Sequence, residues 1–167
     1  MKVLFSIVSH DQQDLVQKLL DSISAYLTVN SHKLTIVITE NATDRVSLKS
    51  DNFRFKLDFR VNLRQNGFGS NHNHVFESYT SDYFFIINPD IVLYEQVILD
   101  NIIEKMENEK IDISSPNIFN SDGLTEDYKR ADLTFKNLIK RYFFGGVEEE
   151  FYWFAGMFLI MKSESFQ

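Results

Sequence analysis

A three-layer α/β/α domain on a mostly parallel sheet is what this chain predicts, and two features of the residue order predict it. Apolar runs rich in Val, Ile and Phe alternate with segments of helical periodicity, as where "KVLFSIVS" is followed by "DLVQKLLDSI". Strands alternating with helices of roughly 10 to 16 residues imply parallel pairing and right-handed crossovers. The second feature is the placement of polar residues: Ser9-His10, Glu40-Asn41 and Asn88-Pro89-Asp90 each stand where an apolar run stops. In a parallel sheet those positions share the carboxyl edge, where such sheets bind ligands.

The elements follow in order. "KVLFSIVS" is a buried strand, and the next segment sets Leu15, Val16, Leu19, Leu20 and Ile23 at helical spacing, with Asp11 the expected N-cap and Asp14 in the first turn. Leu34 to Thr39 repeats the strand signature and breaks at Glu40-Asn41, residue types that favour turns. "FRFKLDFRVNL" alternates Phe53, Phe55, Leu57, Phe59 and Val61 on one face, the pattern of a half-buried strand. In "RQNGFGSNHNHVFESY" Gly67 and Gly69 are expected in a flexible loop and Asn71 to Tyr79 in a helix. "DYFFIIN" is the most apolar strand. "YEQVILDNIIEKMENE" places Val97, Ile98, Ile102, Ile103 and Met106 on one helix face, and "IDISSP" is a fifth short strand. Residues 117–150 are less regular, with a turn at Ser121-Asp122-Gly123 and a helix expected over Leu133 to Phe144. "WFAGMFLIMK" returns to an apolar strand.

A length of 167 residues suits one domain, expected as residues 1–167, with 44% apolar and 14% aromatic residues, far from a disordered composition. A net charge of −7 offers no footprint for nucleic acid. An anionic ligand must therefore be met by a metal or by backbone donors. No cysteine is present, which excludes disulfides and thiolate zinc sites. No stretch approaches the roughly 18 to 20 apolar residues that cross a bilayer, so the cytoplasm is the expected location.

Pro89 cannot donate to a sheet ladder, so it fits at a strand's end, holding the chain extended as Asp90 emerges. A carboxylate there can bind Mg²⁺ or Mn²⁺, with phosphate oxygens and waters completing the shell, or it can simply cap the following helix. Glu40-Asn41 can bond a nucleobase edge or ribose hydroxyls, or form a solvated turn. "NGFGSNHNH" matches neither the dinucleotide fingerprint nor the P-loop. His72 and His74, if helical, point roughly 200° apart, which opposes a shared zinc. "VEEEF", with Glu148 to Glu150, reads as a solvated acidic run.

Five blocks, "SIVSHDQQDLVQKLLDSI", "IVITENATD", "NLRQNGFGSNHNHVFE", "YFFIINPDIVL" and "WFAGMFLIMKSESF", together resemble the nucleotide-sugar-dependent glycosyltransferases of family 2, with the GT-A fold, and especially their rhamnosyltransferase-like branch. That resemblance implies a nucleotide pocket lined by Ser9, His10, Glu40, Asn41, Asn66, Gly67, Gly69, Asn71 and Asn88. It implies Asp90 as ligand of a divalent cation, and Trp153, Phe154, Ala155 and Gly156 beside the acceptor and donor sugar. Residues 1–116 would form the nucleotide-binding half, and 117–167 the start of the acceptor-side half.

The implied reaction is inverting transfer of a sugar from a dTDP- or UDP-sugar to a saccharide or lipid-linked acceptor, at the inner face of the membrane if peripheral. Two departures stand out: the family's D-x-D motif is Asn-Pro-Asp here, and its acidic pair supplying the base would lie beyond Gln167. The chain accordingly resembles the amino-terminal portion of such an enzyme. An inactive nucleotide-sugar-binding module is the alternative, and a flavodoxin-like or receiver-like domain a remote one. A strand at Met157 to Met161 lacking later partners would expose apolar surface and invite self-association.

Overall fold

The computed structural model describes residues 1–42, 48, 53–120, 122–124, 129–130, 153–154 and 156–166. The helix expected over Leu133 to Phe144 and the acidic run Glu148 to Glu150 lie outside the described residues.

In chain order the elements are β1 (Lys2–Ser9), α1 (Gln13–Tyr26), β2 (Leu27–Thr28), β3 (Lys33–Glu40), β4 (Lys56–Val61), α2 (Phe68–Ser78) and β5 (Tyr83–Ile87). There follow β6 (Val97–Ile98), α3 (Leu99–Asn108), β7 (Ile113–Ser114), β8 (Lys129–Arg130), β9 (Trp153–Phe154), β10 (Phe158–Lys162) and a 3₁₀ turn, Ser163–Ser165. The main sheet has the order β4-β3-β1-β5-β10-β7. Its first four strands run parallel, and β10 enters antiparallel between β5 and β7. A mostly parallel sheet is therefore observed, with β10 reversed.

The period of two in β1 divides the core. Val3, Phe5 and Ile7 face one side, where they meet Val16, Leu19, Leu20 and Ile23 of α1 and Leu99, Ile103 and Met106 of α3. Leu4 faces the other, in a smaller cluster with Val37, Phe84, Ile86, Met161 and Val75 of α2. β5 is buried on both faces, as expected of a central parallel strand. Phe85 stacks on Phe5 with ring centroids 4.6 Å apart. These contacts make three layers, the sheet lying between α1 with α3 and α2.

Several sequence expectations are corrected. Asp11 is not the N-cap of α1: its φ is +60°, in the left-handed region that Asp tolerates, and the cap position falls on Gln12. Ser9 Oγ accepts the Gln12 N–H at 3.1 Å instead. Gly67 and Gly69 do not make a loop together, because α2 begins at Phe68 and Gly69 lies within its first turn. Val97 and Ile98 are off the helix. They pair in parallel with Leu27 and Thr28, and this tertiary pairing overrides the apolar period that suggested a longer helix.

The half-buried face expected along β4 holds only at Leu57, since Phe59 and Val61 are exposed, while Phe53 and Phe55 precede the strand and stack on each other. "WFAGMFLIMK" is two strands, not one: Gly156-Met157 form a turn, and β9 pairs with β8 outside the main sheet. β10 is partnered on both sides, by β5 and by β7, so the unpartnered strand expected there is overturned. The proposed ground for self-association goes with it.

α2 buries two polar residues against the sheet, Asn71 and His72. His72 is held neutral, because burial lowers its imidazole pKa to about 4. An imidazole that ionises near 6.5 in the unfolded chain then takes up protons there before it does so in the folded protein. Stability is fully present above about pH 6.5 and falls as the pH drops toward 4, by up to roughly 3 kcal/mol from this residue. Urea unfolding at pH 7.5 and pH 4.5 should show that loss, and His72→Gln should flatten the pH dependence while lowering stability at both. For packing, Phe85→Ala should cost about 4 kcal/mol in the same assay, whereas Phe59→Ala, at a half-exposed edge position, should cost less than about 1 kcal/mol.

Candidate functional site

The carboxyl ends of β1, β3, β4 and β5 form one rim, and the polar residues at the ends of the first three are joined to the start of α2 by a continuous set of hydrogen bonds. Glu40, the last residue of β3, pairs in register with Ser9, the last of β1. Its side chain turns inward and is 2% exposed. Oε2 accepts the Ser9 hydroxyl at 2.7 Å, while Oε1 accepts the Asp11 N–H at 3.0 Å and the Ala42 N–H at 3.1 Å. A buried carboxylate is costly unless its oxygens are satisfied, and here a hydroxyl and two backbone N–H groups do so. The left-handed turn at Asp11 is what aims its N–H at Glu40. The carboxylate thus clamps the β1–α1 loop and the start of the β3–β4 connection to each other.

Asn41 sits next to that clamp and is fully buried. Its side-chain amide pairs with the backbone of Asn66 as a neighbouring strand would: Oδ1 accepts the Asn66 N–H at 3.0 Å and Nδ2 donates to the Asn66 carbonyl at 2.9 Å. Nδ2 also lies 3.2 Å from Nε2 of His10, an exposed residue just past the end of β1. Asn62, one residue beyond β4, completes the web, its Nδ2 donating to Asn41 Oδ1 at 2.6 Å and to Asn71 Oδ1 at 2.7 Å. Asn71 is buried in the first turn of α2, its N–H donating to the Gly67 carbonyl. Gly67 is exposed, with open space where a Cβ would lie. Three strand ends and a helix start are thereby held as one unit.

Ser9, His10, Glu40, Asn41, Asn66, Gly67 and Asn71 are thus brought together. Asn62 was missed, although an Asn directly after a strand and four residues before another Asn is a readable turn signal.

The Asn88-Pro89-Asp90 segment leaves β5 in a turn closed by the Ile91 N–H donating to the Asn88 carbonyl at 3.2 Å. Pro89 is buried and Asp90 exposed. Asp90 caps no helix, since α3 begins only at Leu99. Among the described residues none donates to its carboxylate, which leaves both oxygens open to a cation or to solvent. The Asn88 N–H donates to the Met157 carbonyl at 2.9 Å, which joins this turn to the one at Gly156-Met157. Gly156 in turn meets the Phe68 ring, 3.5 Å from where its Cβ would be. Trp153 and Phe154 form β9, and Ala155 lies outside the described residues.

His72 and His74 part as their spacing demands. His72 is buried with Nδ1 2.8 Å from Ser6 Oγ, while His74 is exposed on the outer side of α2. Among the described residues no three His, Cys, Asp or Glu side chains group as a ready-made metal cage. A cation at this rim would have to rest on Asp90 with ligand oxygens supplying the rest, as Mg²⁺ commonly does on one or two carboxylates and substrate phosphates.

Comparison with solved structures finds this fold widely. The S. aureus TarS 1–349 structure matches at a TM-score of 0.62 and 12% identity, over 98% of this chain and 47% of that one. The same protein in complex with UDP-GlcNAc gives 0.63 and 12%, over 98% and 46%. The mannosyltransferase PcManGT from Pyrobaculum calidifontis, in complex with GDP-Man and Mn2+, gives 0.61 and 15%, over 97% and 44%. The chain spans less than half the length of each. No curated protein matches by sequence at a significant level. Residues 5–165 match the family model described as glycosyl transferase family 2. With nearly the whole chain covered by that model, and its sheet and rim arranged as above, the chain belongs to glycosyl transferase family 2.

Proposed function

We propose that this rim binds a nucleoside diphosphate sugar and presents it for transfer to an acceptor hydroxyl. The observation that carries the reading is the single hydrogen-bonded unit of Ser9, Glu40, Asn41, Asn62, Asn66 and Asn71 beside an exposed Asp90 carboxylate that no described residue engages. It stands at the edge where parallel sheets take nucleotides, in a member of a family of sugar transferases. Support for the ligand class comes from the neighbours' own complexes with UDP-GlcNAc and GDP-Man.

In this reading the residues divide by what their environment leaves free. Glu40 has three hydrogen bonds already, so it acts on the ligand by shaping the β1–α1 loop. His10 stands exposed above Asn41 and is the side chain proposed to meet the nucleobase. The Gly67 backbone, open on its outer side, allows close approach of the ribose or diphosphate. Asn88 and Asp90 face the diphosphate, and the segment from Trp153 to Gly156 flanks the sugar. A divalent cation would rest on Asp90 and supply positive charge against the diphosphate as it leaves. These residues bind and orient the donor, and none of them is assigned as base for the acceptor. A rhamnose donor and a surface-polysaccharide or lipid-linked acceptor are the proposed choices within this class.

Calorimetric titration of UDP, dTDP and GDP with and without Mn²⁺ tests the reading. Binding should strengthen at least about tenfold with Mn²⁺, and Asp90→Asn should remove that gain with little change in stability. Nucleotide binding indifferent to both would sink the assignment of Asp90. Glu40→Gln, which keeps the shape but loses the charge and one acceptor, should lower stability by about 1 to 3 kcal/mol and weaken nucleotide binding in parallel. Unchanged affinity in a folded Glu40→Gln variant would show that the clamp does not shape the pocket.

A further inference from the structure

On the sheet face that α2 covers, β1 carries Ser6 and β3 carries Thr39, and α2 itself contributes the buried His72. Register places Thr39 beside Val8, two residues further along β1 than Ser6, so Ser6 and Thr39 lie on the same face of the sheet. Two of these side chains hold a buried polar atom with no partner among the described residues: Thr39 Oγ1 and His72 Nε2. An unmatched buried polar atom costs about 1 to 3 kcal/mol, so a fold that keeps one invites a reason.

His72 is 1% exposed, its Nδ1 on Ser6 Oγ at 2.8 Å. Nε2, on the other side of the ring, is therefore turned away from Ser6. Side chains on a helix lean toward its amino end, and one turn in that direction lies Phe68, its ring edge-on to the imidazole at a centroid distance of 4.4 Å. Phe68 is nearly half exposed, an unusual position for the side chain that covers a buried imidazole. Its ring rests against Gly156, where the turn joined to Asn88 offers no side chain to hold it. Phe68 thus packs on His72 between the start of α2 and the turn leading into β10, beside the rim that carries Asp90.

We propose that His72 is a specificity-determining residue for the transferred sugar: Phe68 swings off Gly156 when donor binds, and a sugar hydroxyl takes the Nε2 position it had covered. This rests on the nucleotide-sugar reading above and adds which part of the donor the site reads. The chemistry favours a hydroxyl over a phosphate. Whichever proton arrangement the Ser6 bond imposes, Nε2 is either a donor or an acceptor, and a hydroxyl can serve both, whereas a phosphate oxygen can only accept. Burial also keeps the ring uncharged, which offers an anion nothing that a neutral hydroxyl would not use equally well. Thr39 Oγ1, beneath the same helix, is a second group that a bridging water or hydroxyl could satisfy.

The test compares nucleotides with nucleotide sugars on the whole chain, using UDP and GDP against UDP-GlcNAc and GDP-mannose, with the imidazole nitrogens followed by ¹⁵N NMR. The expected result is a shift of the His72 Nε2 resonance on adding a nucleotide sugar but not the bare nucleotide. His72→Leu should lower nucleotide-sugar affinity about tenfold more than nucleotide affinity, with partial recovery in His72→Gln. Should the Leu variant fail to fold, Phe68→Ala provides the second measurement. It keeps the imidazole but uncovers it, and the His72 titration should move up from about 4 toward its ordinary value. Nucleotide sugar bound with the Nε2 resonance unmoved, or a titration unmoved in Phe68→Ala, would overturn the proposal and leave a buried water as the partner of Nε2. Failure of every nucleotide to bind would be a different result, overturning the functional reading and this inference with it.

Discussion

Two strand ends cannot make a binding rim unless the loops leaving them are held in a fixed relation, and here a single buried carboxylate does the holding. Glu40 draws the Ser9 hydroxyl, the Asp11 N–H and the Ala42 N–H onto its two oxygens. Among the described residues no cation pairs with it, and a hydroxyl and two backbone dipoles satisfy its oxygens. Such a group tolerates little rearrangement, because losing one donor leaves part of a buried charge uncompensated. The left-handed backbone at Asp11, the start of α1 and the position of Asn41 all follow from this clamp.

From Glu40 the order passes to a chain of asparagines. Asn is suited to this because one amide both donates and accepts, so Asn41 can copy a strand's hydrogen bonding to Asn66 while Asn62 ties it to Asn71. The result is a polar layer over an apolar sheet, with each side chain fixed by its neighbours. Beside it, His10 and Asp90 are exposed. That division between fixed and free polar groups distinguishes the scaffold of the rim from the atoms available to a ligand.

The reversed strand β10 gives the second half of the rim its geometry. Its antiparallel entry beside β5 brings the Gly156-Met157 turn against Asn88 and under Phe68. The first turn of α2, the end of β5 and the start of β10 therefore converge at one place, although they are distant in sequence. The buried His72 lies beneath that convergence, and Phe68 is the ring that spans it.

The chain order alone carried the layers, the central strands β1, β3 and β5, and the convergence of Ser9, Glu40, Asn41 and Asn88 on one edge. Period-two and period-3.6 patterns report local burial directly, and a parallel sheet places every strand's carboxyl end on the same side. What periodicity could not report was anything set by a partner distant in sequence. Val97 and Ile98 have a helical apolar spacing, yet they form a strand because Leu27 and Thr28 offer a ladder. Asp11 looks like a helix cap, yet its N–H is claimed by Glu40, 29 positions away. Phe59 looks half-buried, yet it sits at the outer edge strand. Local sequence thus determined which residues belong inside and which strand ends are polar. Only the tertiary structure decided which polar groups spend their hydrogen bonds on one another and which remain open, because that depends on neighbours that no local spacing encodes.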